Sequence, residues 1–165
     1  MKKYNNQEGF TLIEAFVAFT LISIIMTAFI SYFLFCVKSC SRQIEILNTK
    51  ENIRCALTYI ERSIKICNQQ KISYHDALKR FEGENQKGHK IYIDLSGKKQ
   101  YKNHTLIYFY RNKGQLRTNK NGEHNILLDG IKDIIVTEII KNKLIEIEVL
   151  GNYNKSVKAR LKINN

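Results

Sequence analysis

The pattern of apolar and polar positions changes character near residue 38. From Ala15 to Val37 a run of 23 residues contains no Asp, Glu, Lys, Arg, Gly or Pro. At about 1.5 Å per residue a helix of that length is roughly 35 Å long, enough to cross a bilayer. Phe10, Thr11, Leu12 and Ile13 extend the run toward the N-terminus, and Glu14 interrupts it. Past the run, Ile46, Ile53, Leu57, Ile60, Ile64 and Cys67 fall within about 80° of one another at about 100° per residue, an apolar stripe in a segment rich in Glu, Lys and Arg. This spacing predicts a single helix from Phe10 to about Cys67 whose second half packs on a sheet. The lack of Pro and Gly predicts no kink. Coil is the alternative between Lys38 and Thr49, where polar residues crowd.

After Cys67 the period shortens. Gln69 to Lys90 is polar, with a short helix expected around Asp76 to Phe81 and ending at Gly83. Strands are expected at Ile91 to Leu95, Thr105 to Arg111 and Gln115 to Thr118, the last two joined as a hairpin through Asn112, Lys113 and Gly114. Ile126 to Leu128 adds an edge. Ile131 to Ile140 is β-branched and apolar. Ile145, Ile147 and Val149 alternate with Glu146 and Glu148, and Val157, Ala159, Leu161 and Ile163 alternate with Lys158, Arg160 and Lys162. These segments predict a three-stranded antiparallel meander turning at Lys141 to Lys143 and Gly151 to Asn154. Glu146 and Glu148 should face Lys158 and Arg160 across the exposed side.

Composition narrows the organisation. The chain has 165 residues and a net charge of +12, enough for one membrane segment and one modest domain. A secretory signal peptide has a shorter apolar core, roughly 7 to 15 residues, ending in small residues. Here the run ends in Phe33, Leu34, Phe35, Cys36 and Val37, so the segment is expected to be retained. Lys2 and Lys3 favour a cytoplasmic N-terminus; Lys38 and Arg42 argue weakly the other way, but a long domain translocates largely regardless of charge. The expected topology is single-pass, N-in and C-out, in the cell membrane.

Glu14 lies about one turn inside the apolar helix. A charge at a membrane-helix centre costs about 2.5 to 3.5 kcal/mol on insertion scales, less toward the ends, so the carboxylate is tolerable but wants a partner. Snorkelling to the interface or protonation would also accommodate it. The phrase Gly9-Phe10-Thr11-Leu12-Ile13-Glu14, behind a short leader carrying Lys2 and Lys3 and ahead of the apolar run, resembles the type IV pilin and pseudopilin superfamily. Glu8, beside Gly9, departs from that pattern. The resemblance implies cleavage between Gly9 and Phe10 by a prepilin peptidase, N-methylation of Phe10, and a role for Glu14 in assembly, as receiver of a neighbouring subunit's N-terminal ammonium. It implies as partners the peptidase, other pseudopilins of the filament and an inner-membrane assembly platform protein. In related systems the subunit thought to sit at the filament tip lacks this acid, so Glu14 argues against that position. The implied fold is α+β and pilin-like, a long N-terminal transmembrane α-helix packed on a C-terminal antiparallel β-sheet. Its expected divisions are a leader over 1–9, a transmembrane and filament-core helix over 10–37, an amphipathic extension over 38–69 and an extracytoplasmic β-rich domain over 70–165.

Leu106 to Arg111, Gly122 through Leu127-Leu128-Asp129-Gly130-Ile131, and Ile145 to Val149 resemble ComGF-type minor pseudopilins of Gram-positive competence systems, relatives of the J-type minor pseudopilins of type II secretion. That resemblance implies a structural subunit of a pseudopilus for DNA uptake. Alternatives are a subunit of a secretion or pilus system, and a DNA-binding ectodomain.

The remaining side chains carry less chemistry. Cys55 and Cys67 would stand about 18 Å apart along one helix, beyond disulfide reach, so Cys36, Cys40, Cys55 and Cys67 are expected as free thiols, with Cys67 packed as a small hydrophobe. His75, His89, His104 and His124 have no metal-ligand spacing. No catalytic pattern stands out, so neither enzymatic activity nor a cofactor or metal is expected. Two basic clusters, Lys98, Lys99, Tyr101 and Lys102, then Arg111, Lys113, Arg117 and Lys120, are candidate nucleic-acid contacts, with tyrosines available for stacking on bases.

Overall fold

A computed structural model describes residues 11–68, 71–84, 87–98, 105–120 and 122–163. One helix, α1, runs from Leu12 to Ile66. It includes the polar stretch between Lys38 and Thr49, which is helical rather than coil. The chain divides into two compact units, Met1–Ile44 and Glu45–Asn165.

The described part of the first unit is the opening of α1. Leu12, Phe16, Phe19, Ile24 and Phe29 are all exposed there. Its hydroxyls turn inward: Thr20, Ser23, Thr27 and Ser31 donate to the carbonyls of Val17, Thr20, Ser23 and Thr27 at 2.8, 2.8, 2.6 and 2.8 Å. An otherwise unsatisfied hydroxyl in hydrocarbon would cost several kcal/mol, and these bonds leave the outer surface apolar. Among the described residues α1 is the one helix long and apolar enough to cross a membrane.

Among the described residues, the second unit holds the rest of α1 and nine strands in two sheets. The first sheet has the order β1 (Ser73–His75), β2 (Arg80–Glu84), β3 (Lys90–Asp94), β4 (Thr105–Tyr110), β5 (Gln115–Lys120) and β6 (Glu123–Leu128). The second is the meander β7 (Ile131–Ile140), β8 (Leu144–Gly151) and β9 (Ser156–Lys162). The architecture is α+β and pilin-like, with one long apolar N-terminal helix and an antiparallel-rich β-structure. The parallel pairing of β3 with β4, the one such pair among the described residues, is not predicted by the local alternation.

Ile53, Ala56, Leu57, Ile60 and Ile64 of α1, with Cys67, enter one core with Phe81, Ile93, Phe109 and Leu116 of the first sheet and Ile134, Ile145, Ile147 and Val149 of the second. The predicted stripe supplies the large residues. Ala56, completely buried, and Ser63, 6% exposed, complete it, and Ile46 is half-buried at its start. α1 approaches the second sheet tightly at Gly151, where a Cβ would lie 2.7 Å from Thr49 Cγ2 and 2.8 Å from Ile53 Cγ2. Tyr153, in the β8–β9 turn, donates its hydroxyl to the Glu45 carboxylate.

The meander follows its alternation, with Glu146 opposite Arg160 and Glu148 opposite Lys158. Arg160 Nε approaches Glu146 Oε2 at 2.9 Å and Lys158 Nζ approaches Glu148 Oε2 at 3.2 Å. The helix expected over Asp76 to Phe81 is corrected to a 3₁₀ turn at Asp76–Leu78. Lys79 stops it in the left-handed region at φ 45°, and Phe81 joins β2, buried with its ring centroid 4.8 Å from that of Tyr74. Burial of that ring between strands outweighs the weak helical pattern around it.

Candidate assembly site

The site begins where α1 begins. Thr11 precedes the first helical residue, and its carbonyl accepts from Ala15 N at 3.2 Å. Its hydroxyl accepts from Glu14 N at 3.4 Å, and its backbone N–H donates to Glu14 Oε2 at 2.9 Å. Thr11 Oγ1 also donates to Glu14 Oε2, at 2.8 Å. This reciprocal arrangement is a capping box, satisfying helix-end donors that have no intrahelical acceptor. It also places a carboxylate at the positive end of the helix dipole.

Glu14 is exposed, and both Thr11 bonds use Oε2. Among the described residues Oε1 makes no hydrogen bond. The carboxylate is thus held in one orientation with one oxygen available. Thr11 is absent from the sequence-derived site, although Thr-x-x-Glu ahead of an apolar run is a legible capping signature. Gly9 and Phe10, the expected cleavage position, lie outside the described residues, as does the leader.

Residues 4–30 match the prokaryotic N-terminal methylation motif. The chain carries a prepilin-type N-terminus. This prepilin-type segment spans Gly9, Phe10, Thr11 and Glu14 and supports the type IV pilin and pseudopilin superfamily. The motif implies a prepilin peptidase substrate with pilus-subunit partners. Together with the apolar start of α1 it fits a membrane-anchored, single-pass protein. Comparison with curated proteins finds no match, and comparison with solved structures finds none.

The candidate nucleic-acid contacts are placed less uniformly. Lys98 and Lys113 are exposed. Arg111 pairs with Asp133 at 2.7 Å. The Arg117 guanidinium donates to Gln115 Oε1 at 3.0 and 2.6 Å and stands 5.0 Å from the Tyr110 ring centroid. Lys99, Tyr101 and Lys102 lie outside the described residues.

The four cysteines are free thiols. Cys67 is buried, and that burial pushes its thiol up to about 11; the Sγ donates to Ser63 O at 3.3 Å. His75 Nε2 is 3.7 Å from Glu82 Oε2, and His124 Nδ1 is 2.9 Å from the Tyr108 hydroxyl. Both histidines therefore have protein partners, and His104 lies outside the described residues.

Proposed function

We propose that this chain is a minor pseudopilin, a non-catalytic structural subunit of an envelope-spanning pseudopilus that serves DNA uptake. The observation that carries the reading is the methylation motif over residues 4–30, joined to a carboxylate presented at the start of an exposed apolar helix. Cleavage after Gly9 would make Phe10 a new N-terminus, and its amine stays protonated after monomethylation. In a filament, the ammonium of one subunit approaches Glu14 Oε1 of another. Opposite charges about 4 Å apart attract by about 4 kcal/mol at an effective dielectric of 20, which offsets much of the cost of burying them. The pair fixes the axial register of each incoming subunit.

The competence assignment is the finer part of the proposal. It is supported by the resemblance of Leu106 to Arg111, Gly122 to Ile131 and Ile145 to Val149, stretches that fall on β4 and the residue after it, on β6 with the start of β7, and on β8. A secretion or pilus filament would use the same N-terminal device. Direct DNA binding by the ectodomain has less support, because Asp133 offsets Arg111 and Gln115 occupies Arg117.

Mass spectrometry of the chain from a peptidase-competent host tests processing. The expected N-terminus is N-methyl-Phe10, and an intact Met1 terminus would overturn the reading. Loss of transformation, with protein secretion unchanged, in a strain lacking the gene is the result expected for the competence assignment.

A further inference from the structure

A deeply buried ion pair in the second unit has no part in the assembly site. Arg80 Nη2 meets Asp94 Oδ2 at 3.1 Å, and the two side chains are 9% and 3% exposed. Such a pair is costly to bury unless its remaining polar atoms are satisfied. Asp94 meets that condition, since its Oδ1 accepts from Ser96 N at 3.0 Å and Ser96 Oγ at 2.6 Å. Arg80 does not, because its buried Nε has no hydrogen-bond acceptor among the described residues. A guanidinium has five N–H donors, and the protein leaves this one short.

Arg80 lines an open recess of about 240 Å³, together with Lys79, Asp94, Ser96, Lys98 and Arg111. Two backbone features build it. Lys79 O accepts from Leu95 N at 3.1 Å, tying the 3₁₀ turn to the end of β3. Gly97, at φ 75°, lies against Arg111: a Cβ there would sit 2.9 Å from Arg111 Cβ and 3.1 Å from its Nε. The fold thereby joins one member of each basic cluster, Lys98 and Arg111, with two cations that neither cluster contains.

The charges do not balance. Asp94 offsets Arg80 and Asp133 offsets Arg111, while Lys79 and Lys98 form no ion pair among the described residues. Two positive charges are left over. A phosphate monoester carries about −1.5 to −2 at pH 7 and has strong acceptor oxygens, whereas a carboxylate would leave one charge uncompensated. The recess is also smaller than the roughly 300 to 1,000 Å³ of pockets that enclose drug-sized ligands, so it suits a phosphate group better than a whole nucleotide.

We infer that this recess binds a phosphate dianion, as inorganic phosphate or as the terminal monoester of a larger molecule. Lys79 and Lys98 supply the unbalanced charge, while Arg80 and Arg111 line the recess beside them. The site is independent of the pilin-type assignment.

Phosphorus NMR titration of the full chain in detergent micelles tests it, with inorganic phosphate as the probe. Saturable binding is expected, weakened roughly tenfold in the double variant Lys79→Gln/Lys98→Gln. Arg80→Ala would strand Asp94 in the interior, so the lysine variants, checked for unchanged unfolding, carry the test. Competition by glucose 1-phosphate as strong as by inorganic phosphate assigns the monoester; failure to compete assigns free phosphate. Absence of saturable binding, unchanged binding in the double variant, equal competition by acetate, or tighter competition by an unphosphorylated oligonucleotide would each overturn the inference.

Discussion

Cys67 shows how one position reads from sequence and what folding adds. Its place at the edge of the helical stripe marks it as a small core residue, and the thiol is indeed buried. Ala56 and Ser63 share that core without being legible, because small side chains contribute little to apolar periodicity. Thr11 was legible by spacing, yet the membrane run draws attention to Glu14 alone, and the reciprocal bond appears only with the backbone in place. Burial has a chemical consequence at Cys67. With its thiol raised from 9.0 to about 11, the thiolate fraction at pH 8 falls from about one tenth to about one thousandth. Iodoacetamide at pH 8 should therefore modify Cys67 at least about a hundredfold more slowly than exposed Cys55, as read by peptide mapping of the folded full chain. Equal rates at the two cysteines would contradict the burial.

Among the elements, legibility follows how local the signal is. The meander is written in strict alternation, so β8 and β9 and their facing charges follow from the sequence. β1 and β2 are not, because Gly83 and the surrounding polar residues blur any period. The parallel β3–β4 pairing joins strands separated by a long connection, and neither strand's own pattern encodes that partner. The approach of α1 to β8 is similarly non-local, and it depends on Gly151 having no side chain. Gly151→Ala should destabilise the β-rich unit by about 1 to 3 kcal/mol, the usual range for overpacking, because Thr49 and Ile53 stand within 2.8 Å of the new Cβ position. Denaturant unfolding of the full chain in micelles measures the loss. Adding Thr49→Ala should recover part of it and not all, since Ile53 still obstructs. A neutral Gly151→Ala would mean that α1 is free to move away from β8.

At the scale of the whole molecule, the proposed assembly role and the capping role of Glu14 call for different oxygens, and this makes them separable. Capping uses Oε2 through Thr11, whereas an incoming ammonium would use Oε1. The prepilin-type segment is legible because it is contiguous in sequence; the division of labour between the two oxygens is not, since it depends on the rotamer set by the cap. Glu14→Ala removes both functions. Thr11→Val removes the hydroxyl and loosens the helix start by about 0.5 to 2 kcal/mol, the usual value of such a cap, while leaving the carboxylate. Both variants should be cleaved and inserted normally, because neither touches Gly9 or the apolar run from Ala15 to Val37. Incorporation into sheared filaments, quantified against membrane-retained subunit, should fall at least tenfold for Glu14→Ala, since an interaction of about 4 kcal/mol is lost, and no more than a few-fold for Thr11→Val. Equal losses would make Glu14 a helix cap with no part in subunit pairing. A loss confined to Glu14→Ala, restored by Glu14→Asp in part and by Glu14→Gln not at all, is the outcome that an inter-subunit ammonium–carboxylate pair requires.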